Sequence, residues 1–302
     1  MIPPRGKSGE ESTKIPADLS KFHCWPGSTS DLMNKFFVLS NYTRKIRLLV
    51  AEFLLNLGIP LVNSVSVDGF LIKFRASTFL EYFLRAEESW SREQVTMHWI
   101  HDCVSGRDVV IDIGANVGAY SLLLGKKLEQ GGGLVYAIEA EAGNFKSLSE
   151  NIHLNKLSGT VIPFCFAVGD ARRVGKFFLS STEPGSSMHA LDRPVSDGVR
   201  FKEQHVQGVL VESVDSLIEH PGIMFPTHIK IDVDGLEGMI VENMSRTLAD
   251  PRLETIMIEV EVEISAGQIE TALESHGFVE TMRERMAGRE IFNILYERSP
   301  TK

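Results

Sequence analysis

Cysteine is scarce in this chain of 302 residues: Cys24, Cys103 and Cys165 stand far apart and form no CxxC pair. A disulfide framework is not expected from so odd and sparse a set, which suits a reducing compartment instead. Basic runs are missing as well. Lys and Arg number 31 against 40 Asp and Glu, giving a formal net charge of −9. A nucleic-acid partner, which ordinarily leaves a basic footprint, is therefore not expected. Nor is there an uncharged apolar run of membrane length. The best stretch, residues 36–62, is interrupted by Arg44, Lys45, Arg47 and Glu52, whereas a spanning helix needs about 20 nearly uncharged residues. Residues 1–30 lack the apolar region of a secretory leader, so a cytoplasmic location is the expectation. No HExxH pattern occurs, and no metal is expected. His98, His101 and Asp102 lie about one helical turn apart and read as solvated helix surface.

What the chain does have is a sharp division of labour along its length. Residues 1–30 carry Pro3, Pro4, Pro16 and Pro26 among Gly, Ser, Lys and Glu, and read as a disordered tail. Residues 31–104 read as an extension. Its apolar positions Leu32, Phe36, Leu39, Ile46, Leu49, Val50, Phe53 and Leu57 predict one or two amphipathic helices, ended by Gly58 and Pro60. A hairpin is predicted over 65–74 with an Asp68-Gly69 turn, then helix over 79–103. From 105 to 302 strand and helix alternate, which predicts a mostly parallel α/β sheet. Strands are predicted at 109–113, 134–139, 160–166, 228–233, 254–260, 277–283 and 290–297. The last two are joined by too few residues for a crossover helix and must form an antiparallel hairpin. Residues 174–212 read as an inserted hairpin around a polar loop, and 180–205 is the candidate lid.

The most informative segment is Val109-Val-Ile-Asp112-Ile-Gly114-Ala-Asn116-Val-Gly118. An apolar β-branched run ends beside a carboxylate, two glycines bracket a turn, and Ala119 to Leu124 continues with helical spacing. Such a turn offers backbone N–H groups at a helix N-terminus to an anionic or nucleotide-like ligand. A dinucleotide fingerprint needs a second glycine two residues after the first. Asn116 stands there, so the turn is built for something smaller than a pyrophosphate. A second strand, Leu134 to Ile138, runs into Glu139, placed to reach ribose hydroxyls.

These residues, with Asn151-Ile-His-Leu-Asn155, Ile229-Lys-Ile-Asp-Val-Asp-Gly-Leu-Glu237 and the Glu259 strand end, resemble the FkbM family of S-adenosylmethionine-dependent methyltransferases over about residues 85–297. The chain departs from the family pattern at Ala140-Glu141-Ala142, Asp234, Leu236 and Thr227. The resemblance implies a Rossmann-like class I methyltransferase fold with a seven-stranded sheet closed by a terminal antiparallel hairpin. It further implies that Gly114 to Gly118 hold the methionine part of the cofactor, that Glu139 holds the ribose and that Asp170 faces the adenine. The implied reaction is O-methylation, with a sugar, glycan or related small molecule as acceptor.

Ligands of open α/β sheets bind beyond the carboxyl ends of the strands, where the strand order reverses. That rule gathers Asp112, Gly114, Glu139, Asp170, Asp232 and Glu259 into one crevice, with Asn116 as a turn residue that also contacts the cofactor. Lys230 and Asp232 share one face of a buried strand and must be paired or functional. Asp232 is expected to orient or deprotonate the acceptor hydroxyl, Lys230 to set its charge, and Glu259 to bind acceptor. Asp234 and Glu237 read as helix caps, and Ser186, Ser187 and His189 as loop or acceptor-side lining. Two rivals remain: a nicotinamide-dependent oxidoreductase, and a binding module without catalysis.

Overall fold

The computed structural model describes residues 29–196, 198–261, 266–286 and 290–300, with side chains from residue 43 onward. The expected tail, apart from its last two residues, lies outside them. The chain divides into two units, Met1–Arg47 and Leu48–Lys302. Helix α1 is Thr29–Asn56, and the described side chains of the first unit, 43–47, are exposed. Everything below concerns the second unit.

The extension before residue 104 packs on the alternating region that follows it. Strands β1 (Leu61–Val67) and β2 (Phe70–Ala76) form the predicted hairpin. Asp68 and Gly69 take φ of +48° and +80°, as a two-residue hairpin turn requires. Ile72 and Phe74 point inward and share one buried cluster with Trp99, Val110, Leu122 and Leu128 of the alternating region. Two asparagines lock the hairpin down. Asn151 accepts from the Arg75 N–H at 2.8 Å and Asn155 from the Lys73 N–H at 2.9 Å. The Asn151/Asn155 pair therefore docks the extension on its helix, satisfying edge-strand amides that would otherwise be orphaned. Residues 80–103 are helical as predicted, with π-type turns at Leu80–Glu88 and Trp99–Cys103 and a break at Glu93 (φ −127°, ψ 75°).

The main sheet contains β3 (Val109–Ile113), β4 (Leu134–Ile138), β5 (Val161–Phe164), β8 (His228–Ile231), β9 (Thr255–Glu261), β10 (Phe278–Arg285) and β11 (Ile291–Arg298) in the order β10-β11-β9-β8-β3-β4-β5. The first three and β8–β9 are parallel, whereas β11 runs antiparallel to both β9 and β10. This is the expected α/β architecture with its terminal hairpin. All residues of β3 and β8 are buried, as strands covered on both faces must be. Helices α2 (Ala119–Leu128) and α3 (Ala142–Leu154) follow β3 and β4. The insert forms β6 (Arg173–Leu179) antiparallel to β7 (His205–Glu212), flanked by Ala167–Val168 and Ala190–Leu191. Strand order reverses between β3 and β8, and the site lies there.

Candidate active site

The chain leaves β3 and β8 through two bends that nearly touch. Gly114 has φ +83°, and a Cβ at that position would stand 1.8 Å from the Asp232 carbonyl oxygen. Glycine is thus required by both conformation and space. The Gly114 and Ala115 N–H groups donate to the Ile138 carbonyl at 3.0 and 2.9 Å, which ties the bend to β4. Asn116 (φ +50°) and Gly118 (φ +95°) complete the turn, and the Asn116 side chain caps its neighbour's N–H at 2.9 Å.

Glu139 is buried at the end of β4. Its two oxygens accept from the Asn116 N–H and the Glu141 N–H, each at 2.8 Å. Burial pushes its carboxyl up to about 7, against the lowering effect of those N–H groups. Glu141 caps α3 by accepting from the Gly143 and Asn144 N–H groups. Together these elements border a cleft of about 690 Å3 including its open mouth. Gly114, Asn116, Glu139 and Asp232 line it, with Ile138, Phe166, Val168 and Leu236 as apolar wall.

The insert closes one side. The Ser186 carbonyl accepts from the Asn116 and Asn144 amides at 2.9 and 3.0 Å, and the Met188 N–H donates to Asp234 at 2.6 Å. Ser186, Ser187 and His189 line the cleft. The loop read as a lid is held down here by hydrogen bonds to the glycine bend, to α3 and to the β8 exit.

Behind the bend lies a charged row. Lys230 Nζ is 2.8 Å from Asp232 Oδ2 and 3.8 Å from Asp112 Oδ1, and 5.4 Å from the centroid of the Tyr120 ring. Burial alone would lower the lysine's pKa, but Asp232, Asp112 and Glu93 outweigh it, so the ammonium stays charged. Asp232 reaches the rim, its side chain 30% exposed, whereas that of Asp112 is 1% exposed.

Two expected cofactor contacts therefore stand away from the cleft wall. Asp112 faces inward, where it accepts from Ser121 Oγ of α2 at 2.5 Å and serves as counter-charge to Lys230. Asp170 is exposed and accepts from Arg173 Nε at 3.0 Å. The chain has already left β5 at Phe164 and joined the insert sheet through Ala167–Val168, so Phe166 and Val168 take the wall position instead. Gly118 packs against Leu148 beneath the turn. Glu259 follows Ile258, the register partner of Ile231, and so sits beside Asp232 at the strand ends.

Three residues at the site escaped the sequence reading. Arg85 lines the cleft and donates from Nε to the Gly185 carbonyl at 2.8 Å. Glu93, at the helix break, accepts from Thr96 Oγ1 at 3.2 Å. Burial and then Asp232 raise its pKa. Tyr120, the third, belongs to the first turn of α2. None of the three carried a local sequence signal: residues 79–103 read as helix, and the break at Glu93 is visible only in the structure.

Glu237 turned out to be a buried cap, accepting from the Val233 and Gly235 N–H groups at 3.1–3.2 Å. Burial pushes it up to about 8 from the ordinary 4.5, against the effect of those N–H groups. A carboxyl that holds its proton more tightly when folded loses its stabilising contribution as pH rises from about 4.5 to about 8. Glu237→Gln keeps the acceptor oxygen without the ionisation. Its melting temperature is expected to fall less between pH 6 and pH 9 than that of the wild type; parallel curves would refute the assignment.

The sequence model of the family described as Methyltransferase FkbM domain matches residues 112–285. The chain belongs to this family. It is an S-adenosylmethionine-dependent methyltransferase, with the fold expected of that class. Among curated proteins it is similar to the hexuronic acid methyltransferase AglP of Haloferax volcanii, 24% identical over 213 residues that cover 69% of this chain and 75% of the relative. Among solved structures it is similar to methyltransferase FkbM from Methylobacillus flagellatus KT (14% identity, TM-score 0.44), over 64% of this chain and 44% of that longer one. It also matches TYW2 of M. jannaschii in complex with AdoMet (15% identity, TM-score 0.38), over 79% of this chain and 87% of the other. No described helix of this FkbM methyltransferase is long and apolar enough to cross a membrane.

Proposed function

We propose that this FkbM methyltransferase moves the methyl group of S-adenosylmethionine to a hydroxyl of a sugar or glycan-type acceptor, with Asp232 as the acceptor-facing base. The observation that carries this reading is the position of Asp232. It leaves β8 in backbone contact with Gly114, borders the same cleft as Glu139, and holds a charged lysine at 2.8 Å.

The donor set of the cleft fits the cofactor. Glu139 takes the ribose hydroxyls, Phe166 and Val168 flank the adenine, and Asn116 and the 114–118 bend receive the amino-acid end. Arg85 supplies the cation for the carboxylate of that end. When bound, S-adenosylmethionine supplies a methyl already activated on a sulfonium. The protein is left with alignment and proton management. Holding reactants in attack geometry is worth on the order of 7–11 kcal/mol at best, and a positioned base adds about 10²–10⁴-fold. Lys230 bonds one oxygen of Asp232, and the other oxygen takes the acceptor proton. Glu259, beside it, binds a neighbouring hydroxyl.

A sugar acceptor is supported by the AglP likeness and by this hydroxyl-directed carboxylate pair. The net charge of −9 supports a partner other than nucleic acid, and the free thiols Cys103 and Cys165 support a cytoplasmic setting. The oxidoreductase rival is disfavoured by Asn116 at the fingerprint position. The test is methyl transfer from labelled S-adenosylmethionine to a glycan panel: labelled product is expected, and none with any member would reject the reading. Glu139→Ala is expected to weaken S-adenosylhomocysteine binding by roughly 10–100-fold, the value of one or two hydrogen bonds to a charged group. Calorimetry showing an unchanged affinity would remove Glu139 from the ribose site.

A further inference from the structure

Side chains alternate along each strand, and the registers of the main sheet place Asp112, Lys230, Met257 and Leu295 in one row on one face. Two residues further toward the carboxyl ends, the same face carries Gly114, Asp232 and Glu259, with Asn293 opposite Glu259 on β11. The helical segment 94–103 crosses this face, fixed by Trp99 Nε1 donating to Thr255 Oγ1 at 2.7 Å and the Val95 N–H donating to Glu284 at 3.0 Å. Glu93, which immediately precedes it, is thereby brought within the electrostatic reach of Asp232 and Lys230.

We propose that Glu93, Asp232, Glu259 and Asn293 form the acceptor subsite, and that it selects an uncharged sugar over the corresponding uronate. The proposal rests on the reading of Asp232 as the acceptor-facing base. Three carboxyl groups meet here, and the one ammonium among them, Lys230, is already bonded to Asp232 and shared with Asp112. Burial and mutual repulsion hold Glu93 and Glu259 above the ordinary carboxylate range. A uronate carboxylate brought into this set would meet like charge in a partly desolvated space, with no further cation in the set among the described residues. Sugar hydroxyls suit it better, donating to the carboxyl oxygens and accepting from the Asn293 amide. Arg85 does not change the balance, because it stands on the insert side of the cleft, bonded through Nε to the Gly185 carbonyl, where the reading above gives it to the carboxylate of the donor. The selectivity is thus opposite to what the hexuronic acid specificity in the relative's name would suggest.

The experiment titrates full-length protein loaded with S-adenosylhomocysteine against matched pairs: the methyl glycosides of glucose, galactose and mannose, and of their uronates. NMR reads the dissociation constants. At least one neutral glycoside is expected to bind about tenfold more tightly than its uronate, with no pair reversed. The double substitution Glu93→Gln, Glu259→Gln is expected to shift that ratio at least about tenfold toward the uronate. A uronate that binds the wild type as well as its neutral partner overturns the proposal. So does the absence of any neutral binding, or a ratio unmoved by the substitutions. Failure to load S-adenosylhomocysteine would instead strike the donor reading, which the first titration step reports separately.

Discussion

Replacing Gly114 by Ala is expected to abolish donor binding and to lower stability by about 2–5 kcal/mol, the sum of a positive-φ penalty and the displacement of a packed neighbour. The residue holds φ +83°, and the new Cβ would fall 1.8 Å from the carbonyl oxygen of Asp232. Neither partner can yield by rotating a side chain, because the obstacle is backbone. The bends that leave β3 and β8 must separate, and the Gly114 and Ala115 N–H bonds to Ile138 are strained with them. Binding and stability should therefore fail together. Thermal denaturation and calorimetry with S-adenosylhomocysteine measure both effects; full affinity at an unchanged melting temperature would contradict the geometry.

Asp232→Asn is expected to separate catalysis from binding. The amide preserves shape and still accepts from Lys230, but it cannot take a proton. Turnover should drop about 10²–10⁴-fold, while donor affinity changes by no more than about threefold. Asp112 continues to neutralise Lys230, so the variant should fold. The measurement is kcat for methyl transfer beside the calorimetric affinity for S-adenosylhomocysteine. Wild-type turnover in the variant would remove Asp232 from the proton path and leave it as a structural partner of Lys230.

Much of this arrangement was legible in the residues, for physical reasons that differ from place to place. Strands β3 and β8 could be read because burial on both faces makes them continuously apolar, and their charged exceptions, Asp112, Lys230 and Asp232, announced themselves. The bend at Gly114 was legible because few residues tolerate its conformation. Asp170 was misplaced because counting residues past a strand assumes that the chain stays at the crevice, whereas Ala167–Val168 pair with β7 and carry Asp170 outward to Arg173. Asp112 stands deeper for a different reason: it shares a face with Gly114 and Asp232 but lies one row further in, against Lys230 and Ser121. Glu93, Arg85 and Tyr120 reach the site through long-range packing of the extension, which no local pattern encodes. Ile72, Phe74 and Trp99 of the extension likewise share a core with Val110 and Leu122, a long-range packing that no local pattern encodes.

The central claim is that the 114–118 bend and Glu139 hold S-adenosylmethionine beside Asp232. A crystal structure of the protein with S-adenosylhomocysteine tests it most directly. Ribose hydroxyls within hydrogen-bond distance of Glu139, with the amino-acid tail against the 114–118 bend, are the predicted result. A ligand lodged elsewhere on the molecule, or a cleft that excludes it and takes NAD, would contradict the account.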